Sequence, residues 1–376
     1  MSTLLLIGGF VLLVAGGEAL VRGAASLGRT VGLSSLVVGL TVVSFATSAP
    51  ELAVSTGAAL SGAPGLAVGN VVGSNIANIL FVLGLTAVFG ALIVRQQLVR
   101  ADIPVMIGLS VLALLFALDG TISTIEGTVL LVLLLVYLTA TIIYARRQQA
   151  RGQEPDLAVE EVVDAGASGL MGRLRTTTAR SVTTDVVLVA FGVGLLVAGA
   201  QMLVTAATDI ATALGISELI VGLTVVAIGT SLPELATSVI AAVRGERDMA
   251  VGNLVGSNIF NIGAVLGLTA VIAPEGIEVE RAAVVFDLPV MVAVALVLLP
   301  LAITGQAIAR WEGYLLTGLY VAYVVYLVLA ASRHAALEPF SAAMLWFVLP
   351  ITALWIIALL GYEIGLRRGR HSPRPG

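Results

Sequence analysis

The stretch GLTVVSFATSAPELAVS, residues 39–55, places an acidic side chain, Glu51, directly after a proline within a long apolar run. Its polar residues recur at steps of three and four and so share one helical face: Ser44, Thr47, Ser48, Glu51 and Ser55. The pattern returns 183 positions later as GLTVVAIGTSLPELATS, residues 222–238, with Glu234 in the place of Glu51. The two stretches predict equivalent segments in the two halves of the chain.

A second motif follows each copy of the first. GNVVGSNIANILFVLG, residues 69–84, returns as GNLVGSNIFNIGAVLG, residues 252–267, again after 183 positions. A serine and an asparagine four residues apart share a face of each predicted helix: Ser74 with Asn78, and Ser257 with Asn261. Two linked motifs at one offset indicate an internal duplication.

The composition predicts an integral membrane protein. The chain has 376 residues, of which 59% are hydrophobic and 11% charged, with a mean hydropathy of +1.07. It contains no cysteine, which excludes disulfides, thiolate metal sites and cysteine nucleophiles. The segments contain no HExxH or GxSxG motif. We therefore expect a protein embedded in a lipid bilayer, with no enzymatic activity, no prosthetic group and no nucleic-acid partner.

Eleven segments are long and apolar enough to cross about 30 Å of hydrocarbon. They are approximately 4–22, 36–60, 67–89, 102–118, 125–145, 185–208, 218–242, 249–273, 284–303, 312–331 and 341–364. The predicted division is a first five-helix repeat (1–145), a cytoplasmic linker (146–184), a second repeat (185–332), and an extra transmembrane helix with a basic cytoplasmic tail (333–376).

Arginine placement predicts the orientation. With the N-terminus outside and the C-terminus cytoplasmic, 17 of the 19 arginines fall on the inner side, and only Arg281 and Arg333 fall outside. Five is an odd number of spans, so the second repeat enters the membrane from the opposite side to the first. The fold class is therefore an all-α membrane protein of two inverted repeats of five helices plus one C-terminal helix, a plan that places the transport site between the repeats.

The two glutamates predict a cation site. A charged side chain at the centre of a bilayer costs about 2.5–3.5 kcal/mol, and no arginine lies in the segments that carry the motifs. Protons or bound cations are the remaining ways to compensate the charge. The neighbouring hydroxyl and amide oxygens are ligands that suit Ca²⁺ and Na⁺. Pro50 and Pro233 are expected to unwind their helices near Thr47 and Thr230, because proline lacks an N–H.

In these motifs the chain resembles the cation/Ca²⁺ exchanger superfamily, specifically the prokaryotic sodium/calcium exchangers. The resemblance covers about residues 1–331. It implies two inverted five-helix repeats and electrogenic exchange of Na⁺ for Ca²⁺, typically three to one, with the first and sixth helices sliding across the others. It implies that both ions share the ligands Glu51 and Glu234, and that Ca²⁺ has the further ligands Thr47 and Thr230. It implies flanking Na⁺ sites that contain the backbone carbonyls of Ser44 and Ala227 and the side chains of Ser48, Ser231, Ser74 and Ser257. It also implies that the middle of the site is lined by Asn78 and Asn261.

The chain departs from the family pattern in two ways. Some members carry Asp at the position of Asn261, and the Asn here argues against K⁺ co-transport. The predicted eleventh helix lies beyond the ten-helix core, and its role and the oligomeric state stay open.

Several polar residues have a structural interpretation beside the functional one. Glu18 and Arg22, four residues apart, are predicted to pair. Asp102 and Asp287 precede prolines, and a capping or interfacial role is favoured over ion binding. For four residues a hydrogen bond between helices and a place in the site stay equally open: Ser55, Ser238, Asn75 and Asn258.

The leading function is a Na⁺/Ca²⁺ antiporter working by alternating access. The alternative is a Ca²⁺/H⁺ antiporter on the same fold, because paired glutamates can also carry protons. The hydroxyls beside each glutamate favour Na⁺. A passive cation channel is the remaining alternative from another class, and broken helices within inverted repeats argue against it.

Overall fold

The helices and strands are those of a computed structural model, which describes residues 2–62, 64–150, 182–214, 227–273 and 275–371. The elements of the first half are α1 (Ser2–Val31), α2 (Ser35–Thr47), α3 (Ala49–Leu60), α4 (Gly65–Phe89), β1 (Leu92–Ile93), α5 (Leu98–Asp119), β2 (Thr121–Ile122) and α6 (Thr124–Ala150). Those of the second half are α7 (Val182–Ala213), α8 (Ala227–Thr230), α9 (Leu232–Val243), α10 (Arg247–Ile272), β3 (Ile277–Glu278), α11 (Ala283–Ile303), β4 (Ala307–Ile308), α12 (Arg310–Ala331) and α13 (Leu337–Leu359).

Within the described ranges, nine helices are long and apolar enough to span a membrane, and the bent pair α2–α3 makes a tenth. The predicted all-helical membrane fold is confirmed. The predicted seventh span, 218–242, is described only from Ala227 onward, as α8 and α9. Most of the predicted linker lies outside the described residues, while α6 continues to Ala150 and α7 begins at Val182.

Two short strand pairs join the halves and test the number of crossings. β1 pairs antiparallel with β4, and β2 pairs antiparallel with β3. Paired strands lie on one side of the membrane, so the chain between them crosses an even number of times. Five described spans separate β1 from β4, and three separate β2 from β3. The chain therefore changes sides once more between α7 and α10, as an inverted second repeat requires.

The first helices of the two repeats pack against each other along glycines. A Cβ atom on Gly9 would lie 2.8 Å from the carbonyl oxygen of Gly199, and one on Gly199 would lie 2.8 Å from that of Gly9. Gly16 and Gly192 make the same reciprocal approach at 2.8 Å. Gly9 and Gly192 are equivalent positions of the repeats, 183 residues apart. The α1–α7 pair thus has the two-fold symmetry of the duplication, and its close backbone contact requires glycine.

The second motif forms the two most deeply buried spans, α4 and α10. Each changes from α-helix to π-helix where its second asparagine stands, over Asn78–Leu83 in α4 and Asn261–Leu266 in α10. A π segment inserts an extra residue into the helical turn and is frequent at functional sites. The two π segments occupy equivalent positions in the repeats, so the duplication extends to this irregularity.

Of the capping or interfacial role expected for Asp102 and Asp287, the capping role is wrong. Asp102 and Asp287 stand inside continuous helices, where their side chains make no capping hydrogen bond. Asp102 Oδ1 accepts a hydrogen bond of 2.9 Å from the Tyr137 hydroxyl, and Asp287 Oδ1 accepts one of 2.9 Å from Tyr323. π-Helical turns at the start of α5 and α11 carry each helix past the aspartate. The side chains therefore join neighbouring helices, in the same way in both halves.

Candidate cation site

Both glutamate motifs break their helices two residues before the proline. Ser48, between α2 and α3, has φ −82° and ψ 0°, and Ser231, between α8 and α9, has φ −90° and ψ 5°. These values lie in the sparsely populated bridge region, where many active-site residues are found. The axes of α2 and α3 meet at a bend of 41°. The unwinding predicted near Thr47 is confirmed, and a corresponding break follows Thr230.

The break places each glutamate in the first turn of a new helix, inside the protein. Glu51 and Glu234 are both 0% exposed. Within the described residues, none of their four carboxylate oxygens has a hydrogen-bond partner. Each buried carboxylate, when ionised, needs a positive partner, because the cost of burying a charge is recovered only by pairing or coordination.

Other buried oxygens of the predicted site residues also lack hydrogen-bond partners among the described residues. Most buried polar atoms in proteins have hydrogen-bond partners. Five predicted site residues carry a buried side-chain oxygen that has none among the described residues: Ser48, Ser74 and Ser231 through Oγ, and Asn78 and Asn261 through Oδ1. Together with the carboxylates they provide oxygen ligands from both repeats. Oxygen is the ligand atom that Ca²⁺ and Na⁺ prefer.

Packing between the repeats places the glutamate helices against the asparagine helices. Helix α3, which carries Glu51, packs against the π segment that begins at Asn261. Helix α9, which carries Glu234, packs against the π segment that begins at Asn78. Each half therefore places its glutamate helix against the asparagine helix of the other half.

Three predicted site residues already have hydrogen-bond partners. The Thr47 hydroxyl lies 3.2 Å from Asn253 Oδ1 and 3.3 Å from the Ser257 hydroxyl. The Ser44 hydroxyl donates to the Gly39 carbonyl at 2.6 Å. The Ser44 carbonyl accepts the Ser48 N–H at 2.9 Å and the Thr47 hydroxyl at 3.4 Å.

The second repeat places the two remaining predicted residues at the ends of one short helix. Ala227 begins α8 and Thr230 ends it. Their roles stay predictions, because the segment that precedes α8 lies outside the described residues.

Sequence analysis missed the part played by Asn70 and Asn253. Asn70 Nδ2 donates to Ser55 Oγ at 2.9 Å, and Asn253 Nδ2 donates to Ser238 Oγ at 3.1 Å. These equivalent bonds give Ser55 and Ser238 a structural role in joining helices. The repeated GN dipeptide was the signal that could have shown it.

Thr237 was missed as well. Its hydroxyl is buried and has no partner in the described ranges. The equivalent residue of the first repeat is Val54, which is 49% exposed. Comparison of the repeats therefore gave no signal at this position.

The ion pairs of the described residues connect other charged side chains. Glu18 pairs with Arg22, as predicted, and also with Arg244, which follows α9. Arg95 pairs with Asp248. None of these ion pairs involves the two buried glutamates, which have no arginine partner among the described residues.

The site can be compared with known proteins. The family model described as "Sodium/calcium exchanger protein" matches residues 1–143 and 184–329. The chain belongs to the sodium/calcium exchanger family. The family consists of secondary transporters, so this chain is a multi-pass cation/Ca²⁺ antiporter and not an enzyme.

Similar proteins match along most of their length. The inner membrane protein YrbG of Escherichia coli is 38% identical over 87% of this chain and 97% of its own. The sodium/calcium exchanger MaX1 of Methanosarcina acetivorans is 32% identical over 79% of this chain and 89% of its own. A solved structure of the sodium–calcium exchanger NCX_Mj has a TM-score of 0.68 and 32% identity, and it covers 86% of this chain and 97% of that protein. The inverted-repeat fold is thus shared with a solved exchanger.

Proposed function

We propose that this protein exchanges Na⁺ for Ca²⁺ by alternating access, with both ions using one site between the inverted repeats. The observation that carries the proposal is the pair Glu51 and Glu234, buried at the two helix breaks with all four carboxylate oxygens unpartnered among the described residues. Their formal charge of −2 balances one Ca²⁺. Two or more Na⁺ ions can be held by the same oxygens, so each ion displaces the other.

The surrounding oxygens support Na⁺ as the exchanged ion. Ser48, Ser74 and Ser231 place buried hydroxyl oxygens without partners near the glutamates, within the described part of the chain. A proton binds to a carboxylate without further ligands, whereas a dehydrated Na⁺ needs several oxygens. In this proposal Thr47 and Thr230 complete the Ca²⁺ site. Ser257 and the backbone carbonyls of Ser44 and Ala227 complete the flanking Na⁺ sites, and Asn78 and Asn261 lie in the middle.

The α1–α7 pair supplies the moving part of the proposed cycle. Its helices contact each other at backbone distance along the paired glycines, so they move as one body. Movement of this pair across α2–α3 and α8–α9 would open the site to one side of the membrane and then to the other.

Transport in vesicles tests the coupling ion. The purified protein is placed in lipid vesicles loaded with Na⁺, which are diluted into Na⁺-free buffer containing radioactive Ca²⁺. We expect Ca²⁺ uptake driven by the Na⁺ gradient and none with equal Na⁺ on both sides. Uptake driven only by a pH gradient would replace Na⁺ by H⁺ in the mechanism. Ca²⁺ flux that follows neither gradient would contradict antiport.

We also propose that the N-terminus is outside and the C-terminus cytoplasmic, as arginine placement indicates. Because the natural chain has no cysteine, single cysteines report the orientation directly. Glu275 and Gln306 are both exposed, and they lie beyond opposite ends of the membrane-spanning helix α11. A membrane-impermeant maleimide is expected to label Glu275→Cys in intact cells, and Gln306→Cys only after permeabilisation. The reverse pattern would contradict the orientation.

A further inference from the structure

We propose that Asn75 and Asn258 are positioning residues that decide which end of the Asn78 and Asn261 side chains faces the cation. The proposal rests on the proposed function and deepens it. An asparagine can present a cation with its carbonyl oxygen, which attracts, or with its NH₂ group, which repels. A site that relies on asparagine therefore needs a device that fixes the orientation of the amide.

The hydrogen bond that holds the amide of a site asparagine occurs twice, once from each repeat to the other. Asn78 Nδ2 donates a hydrogen bond of 3.1 Å to Asn258 Oδ1. Asn261 Nδ2 donates one of 3.1 Å to Asn75 Oδ1. All four side chains are buried. The NH₂ end of each site asparagine is therefore bound to the other half of the protein.

Backbone carbonyls fix the orientation of Asn75 and Asn258 in turn. Asn75 Nδ2 donates to the Asn258 carbonyl oxygen at 3.4 Å, and Asn258 Nδ2 donates to the Asn75 carbonyl oxygen at 3.3 Å. A backbone carbonyl can only accept, so the NH₂ group of each side chain must face it. The Oδ1 atoms of Asn75 and Asn258 are then turned toward Asn261 and Asn78.

Two methionines close the far side of this arrangement. Met291 Sδ lies 3.6 Å from Asn75 Nδ2, and Met106 Sδ lies 3.6 Å from Asn258 Nδ2. A thioether is a weak acceptor and never a donor, so it also favours the NH₂ group on this side. The amide groups of Asn75 and Asn258 are thus held in one orientation by acceptors alone.

The fixed orientation is passed on to the proposed ligands. Because Asn75 Oδ1 and Asn258 Oδ1 can only accept, Asn261 and Asn78 must turn their NH₂ groups toward them. Their own Oδ1 atoms are left buried and without a partner among the described residues. Four hydrogen bonds that the ion does not touch therefore present two carbonyl oxygens to the cation.

Substitution by leucine tests the positioning role, because leucine has a similar size and no polar group. In Asn75→Leu and Asn258→Leu, the amide of the facing site asparagine is free to turn. Ca²⁺ binding is measured by calorimetry on the full chain in detergent. We expect affinity for Ca²⁺ to fall by about 10- to 100-fold, the usual effect of removing the partner of a metal ligand.

Thr86→Val is the matched control. The Thr86 hydroxyl is buried on the same helix as Asn75, and among the described residues it bonds only to the Val82 carbonyl of its own helix, at 2.7 Å. Thermal unfolding is recorded for each variant, so that a loss of affinity is compared between proteins that are folded. We expect Thr86→Val to bind Ca²⁺ as the unmodified protein does.

A double substitution separates positioning from packing. An aspartate at position 261 has an oxygen at both ends and needs no orientation. In the Asn261→Asp background, Asn75→Leu is therefore expected to cause no loss of affinity, and removal of Asn75 Oδ1 also relieves its repulsion of the new carboxylate. The equivalent pair, Asn78→Asp with Asn258→Leu, provides a second test should the first double variant fail to fold. The test compares the change in Ca²⁺ affinity caused by Asn75→Leu in the unmodified protein and in the Asn261→Asp background. The effect of the added charge cancels in this comparison, because it is present with and without Asn75→Leu.

The outcomes distinguish this inference from the function on which it rests. If the unmodified protein does not bind Ca²⁺, the proposed function falls and the inference with it. If the unmodified protein binds Ca²⁺ and both single leucine variants bind it equally well, only the positioning role is overturned. An equal loss from Asn75→Leu with Asn or Asp at position 261 would likewise assign Asn75 to packing alone.

Discussion

Glu51→Gln and Glu234→Gln are each expected to abolish Na⁺-driven Ca²⁺ uptake in vesicles. Each change removes one of the two buried charges at the helix breaks while keeping the size of the side chain. Removing one partner of a buried charge pair costs about 2–5 kcal/mol, which corresponds to roughly 30- to 5,000-fold in affinity. Ca²⁺ has a double charge and is expected to lose more than Na⁺ from either substitution.

Glu312→Gln is the matched control for this experiment. Glu312 is also a buried glutamate in a membrane-spanning helix, but its Oε2 accepts the Ala309 N–H at 2.7 Å. Glutamine keeps an acceptor oxygen there, so uptake near that of the unmodified protein is expected. Normal uptake by both Glu51→Gln and Glu234→Gln would show that the ions do not bind between the repeats.

Gly192→Leu is expected to disrupt the pairing of α1 with α7. A Cβ atom on Gly192 would lie 2.6 Å from the backbone nitrogen of Leu20 and 2.8 Å from the carbonyl oxygen of Gly16. Backbone atoms cannot move aside as a side chain does, so the helices must separate. Overpacking costs about 1–3 kcal/mol and occasionally more, and here the larger loss is expected. The measurement is the thermal unfolding of the protein in detergent, together with Ca²⁺ uptake in vesicles.

Gly194→Leu provides the comparison for this substitution. Gly194 lies two residues away on the same helix, is exposed, and a Cβ atom there would meet nothing within 4 Å among the described residues. We expect its unfolding temperature and transport to stay close to those of the unmodified protein. Equal effects of the two leucines would mean that α1 and α7 are not in close contact in the membrane.

The orientation of each asparagine could not be predicted from the sequence. GSNIAN and GSNIFN show two asparagines three residues apart, and nothing in that spacing distinguishes a ligand from its support. The distinction comes from the packing of α4 against α10. There, Asn258 faces Asn78 and the backbone carbonyl of Asn75, while Asn78 Oδ1 has no partner among the described residues.

The two aspartates show the opposite limit. The sequences Asp102-Ile-Pro and Asp287-Leu-Pro favoured a helix start, because local preferences place Asp at caps. The helices instead begin several residues earlier through π turns. Tyr137, 35 residues further along the chain, takes the carboxylate as its acceptor, and no local pattern indicates that contact.

The sequence by itself determined the membrane class, the duplication, the inverted arrangement and the broken helices at Glu51 and Glu234. These features follow from hydropathy, from the number of spans in each repeat and from the prolines. All three can be read along the chain without knowledge of tertiary contacts. Only the tertiary structure decided which buried oxygens are left without hydrogen bonds. That property depends on contacts between α4 and α10 and between the glutamate helices and the π segments, which join residues about 180 positions apart. A ligand set is defined by what its neighbours leave unpaired, and those neighbours come from the other repeat.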